Sequence, residues 1–294
     1  MKIAIFGQFY HKNSESSIET LLSILFKKPV DVYIEDFFYT TIKEQKNSNL
    51  NALNFKTFNH LDNSFDLLIS IGGDGTILRA ITFVRDFSIP IVGINTGLLG
   101  FLATIQKDNI ENALSDILKG NYRISERSLL SIKTKPENKS LLDFNVALNE
   151  IAVSRKNTTS MITVETSLNN EYLTSYWADG LIISTPTGST GYSLSCGGPV
   201  IMPDADSFTL TPIAPHNLNA RPLVIPDSTE IKLKVSGRED NYLVSLDSRI
   251  ATLDNNSIIT IKKADFKIKM IELEGESFIH TLRKKLLWGE DKRN

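Results

Sequence analysis

An α/β lobe, then a β-rich lobe, then a closing segment that returns to the first is the fold class this sequence predicts. Three observations predict it. Short apolar runs alternate with stretches of helical spacing as far as Gly120. From Tyr122 to Glu272 many short alternating segments are separated by turn residues, which leaves little room for long helices. Helical spacing then returns over Ser277–Leu287 through Phe278, Leu282 and Leu286. A chain of 294 residues is long enough for about two domains. The expected division is 1–120 with 274–294 for the α/β lobe and 121–273 for the β-rich lobe.

In order along the chain, Lys2–Phe6 reads as a buried strand ending at Gly7. Ile18, Leu21, Leu22 and Leu25 follow at helical spacing behind Ser14, Ser16 and Ser17, which could cap that helix. Val30, Val32 and Ile34 alternate as in a second strand. The polar stretch 47–63 reads as a loop or short helix. Leu67–Ile71 is a strand apolar on both faces, and Ile77, Leu78, Ile81 and Val84 share one side of a helix. Pro90–Ile94 gives another strand. A helix is expected from Asp108, with Glu111 completing a capping box, Ile110, Ala113, Leu114, Ile117 and Leu118 on its face, and Gly120 ending it. Strands alternating with helices imply a parallel sheet that binds ligands beyond the carboxyl ends of its strands. In the β-rich part the strands expected include Leu129–Ile132, Val146–Leu148, Ile162–Val164, Leu181–Ile183, Ile231–Val235 and Ile258–Ile261.

Between the strand ending at Ile71 and the helix after it lie Gly72, Gly73, Asp74, Gly75 and Thr76. Glycines let a ligand approach the backbone, and the free N–H groups of a helix start make an anion site. A carboxylate there repels phosphate unless it binds a metal or takes a proton, so Asp74 is a candidate for chemistry. The plain alternative is a tight turn with a helix-capping aspartate. No P-loop pattern occurs, and Gly-x-Gly-x-x-Gly fails because Leu78 holds the third position.

Hydrophobic content of 41% and charged content of 22% are those of a soluble globular protein. A net charge of −2 gives no general attraction to nucleic acid or to an anionic membrane, so neither is an expected partner. The single cysteine, Cys196, suits a reducing cytoplasm. No signal peptide or membrane span is legible, and the four scattered histidines do not suggest zinc.

Three polar clusters interrupt the β pattern. Asn149-Glu150 ends an apolar strand; asparagine offers donor and acceptor, a carboxylate accepts from hydroxyls, and a strand-end turn is the alternative. Trp177–Pro199 passes from an apolar strand into hydroxyl residues, glycines and Tyr192, a set suited to phosphate, sugar and a stacked base; a Ser/Gly linker is the alternative. Thr211–Pro222 by itself indicates only a structured turn.

Six segments, Gly72-Gly-Asp-Gly-Thr76, Gly93–Leu102, Asn149-Glu150, Asp179-Gly180 with Thr185–Tyr192, Pro212–His216 and Leu282–Gly289, resemble in order the motifs of bacterial NAD kinases. Together with the first strand they span nearly the whole chain. Lipid kinases and phosphofructokinases are similar only in the Gly-Gly-Asp-Gly loop. The resemblance implies a Rossmann-like N-terminal lobe and a β-sandwich-type second lobe. It implies transfer of the γ-phosphoryl of ATP, with Mg²⁺ or another divalent cation, to the 2′-hydroxyl of the adenosine ribose of NAD, giving NADP and ADP. Asp74 would be the general base, and Gly72, Gly73, Gly75 and Thr76, with Arg79, would line the donor phosphates. Asn149, Tyr192, Ser189 and Thr190 would hold the adenosine end, Glu150 and Asp179 the ribose hydroxyls or carboxamide, and Ala214 a wall. The remaining nucleotide-binding positions implied are Trp177, Thr187, Gly191, Ser193, Leu194 and Ser195. No residue is implied as a protein metal ligand, and a homodimer or homotetramer is expected.

Two departures from the family pattern stand out. Ser245-Leu-Asp-Ser-Arg249 replaces Ser-x-Asp-Gly-Gln, so Ser248 could alter a turn and Arg249 could direct positive charge at nucleotide phosphates. Gly191 stands where alanine is common. Two other functions share parts of the pattern: a lipid or sugar kinase with the same loop, and a nicotinamide-nucleotide sensor without turnover. The later polar clusters argue against the first, and Asp74 against the second.

Overall fold

The structure, a computed structural model, describes residues 1–8, 12–44, 55–157 and 160–288. In chain order the first elements are β1 (Lys2–Gly7), α1 (Lys12–Phe26), β2 (Asp31–Glu35), α2 (Asp36–Lys43), β3 (Lys56–Phe58), β4 (Leu67–Gly72), α3 (Asp74–Val84), β5 (Ile91–Asn95), α4 (Ile110–Lys119) and β6 (Tyr122–Arg127). There follow β7 (Leu130–Lys135), β8 (Val146–Ala147), β9 (Glu150–Ser154), β10 (Ile162–Leu168), β11 (Glu171–Ala178) and β12 (Gly180–Ser184). The short helix α5 (Tyr192–Ser195) precedes β13 (Ser207–Ile213), β14 (Leu223–Pro226), β15 (Ile231–Gly237), β16 (Asn241–Leu246), β17 (Arg249–Asp254) and β18 (Ile258–Lys263). Last come β19 (Ile268–Leu273) and α6 (Phe278–Leu286).

The chain divides into two compact units, Met1–Glu126 with the chain from Ile268 onward, and Arg127–Lys267. The α/β unit extends a strand further at each boundary than the expected 120 and 274, because β6 and β19 both belong to its sheet. Among the described residues that sheet has seven strands in the order β3-β2-β1-β4-β5-β19-β6. The pairs β1–β2, β1–β4, β2–β3, β4–β5 and β5–β19 are all parallel. Ile3, Ala4, Ile5, Leu68 and Ile69 are fully buried, as strands covered on both faces require. Ile18, Leu21, Leu22 and Leu25 of α1 pack into the same core as Ala113, Leu114 and Ile117 of α4.

Several local expectations are corrected. α1 begins at Lys12, so Ser14, Ser16 and Ser17 lie inside the helix and do not cap it. The capping box at Asp108 and Glu111 does not form: a 3₁₀ turn over Lys107–Asn109 leads into α4, whose cap position, Asn109, makes no side-chain cap bond. Gly120 does end α4, in the left-handed region at φ 79°. The polar stretch 47–63 contains strand β3; its residues up to 54 lie outside the described residues. α2 was not foreseen from the sequence. It buries only Phe38 and Ile42, and the Glu35 side chain caps it by accepting from Phe38 N at 2.8 Å. At the other end of the chain Ser277 caps α6, Leu282 is buried, and the Phe278 ring lies 6.1 Å from that of Phe101. The apolar face expected to run on through Trp288 stops short, for Trp288 is exposed.

In the second unit two six-stranded sheets form among the described residues, ordered β11-β10-β15-β18-β7-β8 and β14-β13-β12-β9-β16-β17. One apolar core joins them: Val164, Leu233 and Ile259 from the first sheet with Val153, Leu181, Phe208 and Val244 from the second. Side chains of two facing sheets meeting in one core make a β-sandwich.

Candidate active site

In the first unit β4 and β5 are parallel neighbours, with Gly72 paired to Asn95, so the loops leaving their carboxyl ends lie side by side. Gly72 has φ 152°, and a Cβ there would stand 2.2 Å from Thr76 Oγ1, so the position requires glycine. Gly73 and Gly75 face open space, and Arg79 is exposed one turn along α3.

Asp74 is the first residue of α3, and its carboxylate neither caps that helix nor points into empty loop. It accepts three consecutive amides of the neighbouring loop: Phe101 N at 2.8 Å on Oδ2, and Leu102 N and Ala103 N at 3.0 Å each on Oδ1. Gly100 allows this approach, since a Cβ there would lie 1.9 Å from Oδ1. Buried Asn95 holds the same loop from inside, donating to Leu98 O at 2.8 Å and Ala103 O at 3.2 Å and accepting from Gly97 N at 2.7 Å. An ionised carboxylate has about four acceptor positions. Asp74 is therefore held rigidly and keeps one position, on Oδ2, for a proton or a ligand.

In the second unit the Thr185–Tyr192 loop packs on Asn149-Glu150, where β8 has ended and β9 begins. Thr185 Oγ1 donates to Leu148 O at 2.6 Å, Thr185 N to Asn149 O at 2.9 Å, and Gly188 N to Thr185 Oγ1 at 3.1 Å. A Cβ on Gly188 would stand 2.0 Å from Asn149 O, so the Thr185–Tyr192 loop lies directly on the strand junction. Asn149 Oδ1 and Glu150 Oε2 are buried without a partner. Burial, and then the charge of Asp247, push the Glu150 carboxyl up to about 8; only the Tyr192 amide pulls it down. A carboxyl held up there carries its proton near neutral pH, so Glu150 can donate from one oxygen while the other still accepts. A carboxylic O–H beside an amide oxygen offers a ligand one donor and one acceptor.

Other implied positions sort by where their polar atoms go. Tyr192 and Trp177 are exposed enough to stack on a planar ligand; the Trp177 ring lies 4.4 Å from that of His216. Asp179 is half-buried and paired with Arg155 at 2.8 Å. Ala214 is exposed with φ 43°, and Ser195 is exposed beside half-buried Leu194. Thr187 is buried, and its carbonyl accepts from Thr190 Oγ1 at 3.2 Å. The hydroxyls of Ser189 and Ser193 turn inward, to Ile201 backbone and to Thr211 Oγ1 at 2.8 Å, so neither is offered to a ligand. A Cβ on Gly191 would lie 3.0 Å from Glu150 Oε2, so alanine there asks that carboxyl to shift by a few tenths of an ångström.

Both departures in Ser245–Arg249 are explained. In the β16–β17 hairpin Leu246 pairs with Arg249, and the residue in the left-handed region is Asp247, at φ 52°. Ser248 takes no positive φ, so losing glycine costs the turn nothing. The Arg249 guanidinium donates to the carbonyls of Phe144 and Val146 and lies 5.0 Å over the Phe144 ring, so it anchors backbone instead of facing a nucleotide. Sequence reading assigned no individual role to Asp247, Asn95, Thr185 or Arg155, although the first three lie in segments that resemble the family motifs.

An α/β unit with a glycine-rich strand-to-helix loop that presents one oriented carboxylate, followed by a β-sandwich whose binding groups suit a nucleotide, defines a small-molecule kinase. Comparison with known proteins gives the same class. The family model of the ATP-NAD kinase N-terminal domain matches residues 3–122, and that of the ATP-NAD kinase C-terminal domain matches 148–273. The chain belongs to the NAD kinase family. It is 62% identical to the NAD kinase of Christiangramia forsetii and 61% identical to that of Flavobacterium psychrophilum, each over 294 residues and the full length of both chains. Among solved structures it is similar to an Archaeoglobus fulgidus NAD kinase in complex with ATP (28% identity, TM-score 0.74, covering 98% of this chain and 99% of the other). The fold is also shared with yeast NADH kinase complexed with NADH (23% identity, TM-score 0.84, covering 98% and 88%).

Proposed function

We propose that this chain transfers the γ-phosphoryl of ATP to the 2′-hydroxyl of the adenosine ribose of NAD, with Asp74 receiving the hydroxyl proton. The observation that carries this is the Asp74 carboxylate, oriented by three amides with one acceptor position left on Oδ2. Phosphoryl transfer asks of the protein mainly positioning and charge stabilisation, plus a place for the nucleophile's proton. The Gly72–Thr76 loop holds donor phosphates against open backbone at Gly73 and Gly75. Asn149, Glu150 and Tyr192 take the acceptor nucleotide, with Asp179 and Ala214 at its margin. Ser189 and Ser193 shape the loop from within, and Arg249 is left out of nucleotide binding.

A divalent cation such as Mg²⁺ would enter with ATP and neutralise charge on the phosphates. Among the described residues no group of three His, Cys, Asp or Glu gathers to cage a metal, and the single position left on Asp74 fits a proton or one water of a hydrated ion. By likeness to the family the protein is a cytoplasmic homodimer or homotetramer, which sedimentation would resolve. Purified protein incubated with ATP and Mg²⁺ is expected to phosphorylate NAD and to leave diacylglycerol and fructose 6-phosphate untouched. Phosphorylation of either alternative, with NAD inert, would overturn the assignment.

A further inference from the structure

We infer that Asp247 is the positioning residue that presents Asn149 and Glu150 to the nucleotide. Between Ala147, where β8 ends, and Glu150, where β9 begins, three successive amides leave the sheet ladder and need acceptors. All three find Asp247: Leu148 N at 3.0 Å on Oδ2, Asn149 N at 2.8 Å and Glu150 N at 3.2 Å on Oδ1. Asp247 N returns a bond to Glu150 O at 3.0 Å, while Thr185 takes the carbonyls of Leu148 and Asn149. Every backbone polar group of the three residues is therefore satisfied inside the protein. What remains unpartnered and buried is side-chain chemistry alone, Asn149 Oδ1 and Glu150 Oε2. The backbone geometry of Asp247 supports a selected role: it adopts φ 52°, which few residues besides glycine, asparagine and aspartate tolerate, and only a short acceptor side chain can turn back on the strand junction from there.

This inference rests on the proposal that Asn149 and Glu150 bind NAD, and two variants separate the two. Asn149→Ala removes a contact group and is expected to raise KM for NAD about tenfold. Asp247→Asn keeps Oδ1 for Asn149 N and Glu150 N but sets an NH₂ against Leu148 N. It is expected to raise KM for NAD ~10-fold or more while KM for ATP and kcat stay within about threefold. An unchanged KM in Asp247→Asn beside a raised KM in Asn149→Ala overturns the positioning role alone. Unchanged KM in both overturns the binding assignment and the inference with it. A uniform loss of kcat and both KM values would mark Asp247 as merely structural and overturn the inference. If Asp247→Asn does not fold, hydrogen exchange on the wild-type protein reads the same contact. Amides of Leu148, Asn149 and Glu150 are expected to be as protected as those of β9, and exchange at loop rates would overturn the role.

Discussion

Glu150 and Asp247 are neighbouring buried carboxyls, and burial raises both against very different sets of hydrogen bonds. Burial pushes the Asp247 carboxyl up from its ordinary value against the pull of three amides and the Arg249 charge, and pushes Glu150 up against the Tyr192 amide alone. Raised to about 8, Glu150 stays protonated in the folded chain when its unfolded counterpart has ionised above its ordinary 4.5. The folded state then binds the extra proton, so stability falls as pH rises from about 4.5 to about 8 and levels off above that. Glu150→Gln keeps the shape and cannot ionise. It is expected to flatten that fall and to raise Tm at pH 8 by about 2–4 °C for each kcal/mol recovered. Parallel Tm-versus-pH curves for the two proteins would contradict a protonated Glu150. At Arg249 the outcome is of another kind. Arg249→Gln loses carbonyl contacts with Phe144 and Val146, so stability should drop by about 1–3 kcal/mol with KM for NAD within about twofold. A several-fold change in KM at unchanged Tm would put Arg249 back on the nucleotide.

Elements whose apolar pattern is long and one-sided were legible from the sequence, and short ones were not. β1, β4 and β5 are buried on both faces and read as apolar runs, while α1, α3 and α4 each show a repeating face. α2 and β3 are recruited by packing on β2, and their own patterns are too brief to declare a period. The Gly72–Thr76 loop was readable because its Gly-Gly-Asp-Gly-Thr string resembles a family motif, where glycine and aspartate alone fitted a capped turn equally well. The Asp247 contact was not, because its partners stand 97 to 99 residues away in sequence. Two tests belong to this scale. Asn95→Ala should loosen the loop that orients Asp74, lowering stability by about 1–3 kcal/mol and kcat by about tenfold; unchanged values of both would show that the loop is held elsewhere. Truncation before Ser277 removes α6, exposing the surface that Phe278 and Leu282 cover. Insoluble or inactive protein is expected, and a soluble product with unchanged Tm and turnover would contradict a structural role for the helix.

For the whole molecule, the division of labour follows from what each unit can offer. A chain of net charge −2 has no field to gather polyanionic nucleotides, so local geometry must hold them. The α/β unit supplies a glycine-lined backbone and one oriented carboxylate, and the sandwich supplies a donor–acceptor pair with exposed rings. The likeness to NAD kinases over the full length was visible in sequence because the motifs are contiguous strings. Which hydroxyls turn inward, as at Ser189 and Ser193, depends on partners that only the folded chain brings near. The proposed reaction gives the nucleophile's proton to Asp74, and Asp74→Asn tests that assignment most directly. Asparagine can keep Oδ1 for Leu102 N and Ala103 N while its NH₂ meets Phe101 N, a loss of about 1–3 kcal/mol of stability. Titration calorimetry should find NAD binding within about a factor of ten of wild type, while the steady-state kcat falls by about 10²–10⁴. A folded Asp74→Asn protein that binds NAD and turns over within a few-fold of wild type would show that Asp74 only fastens its loop and is not the base.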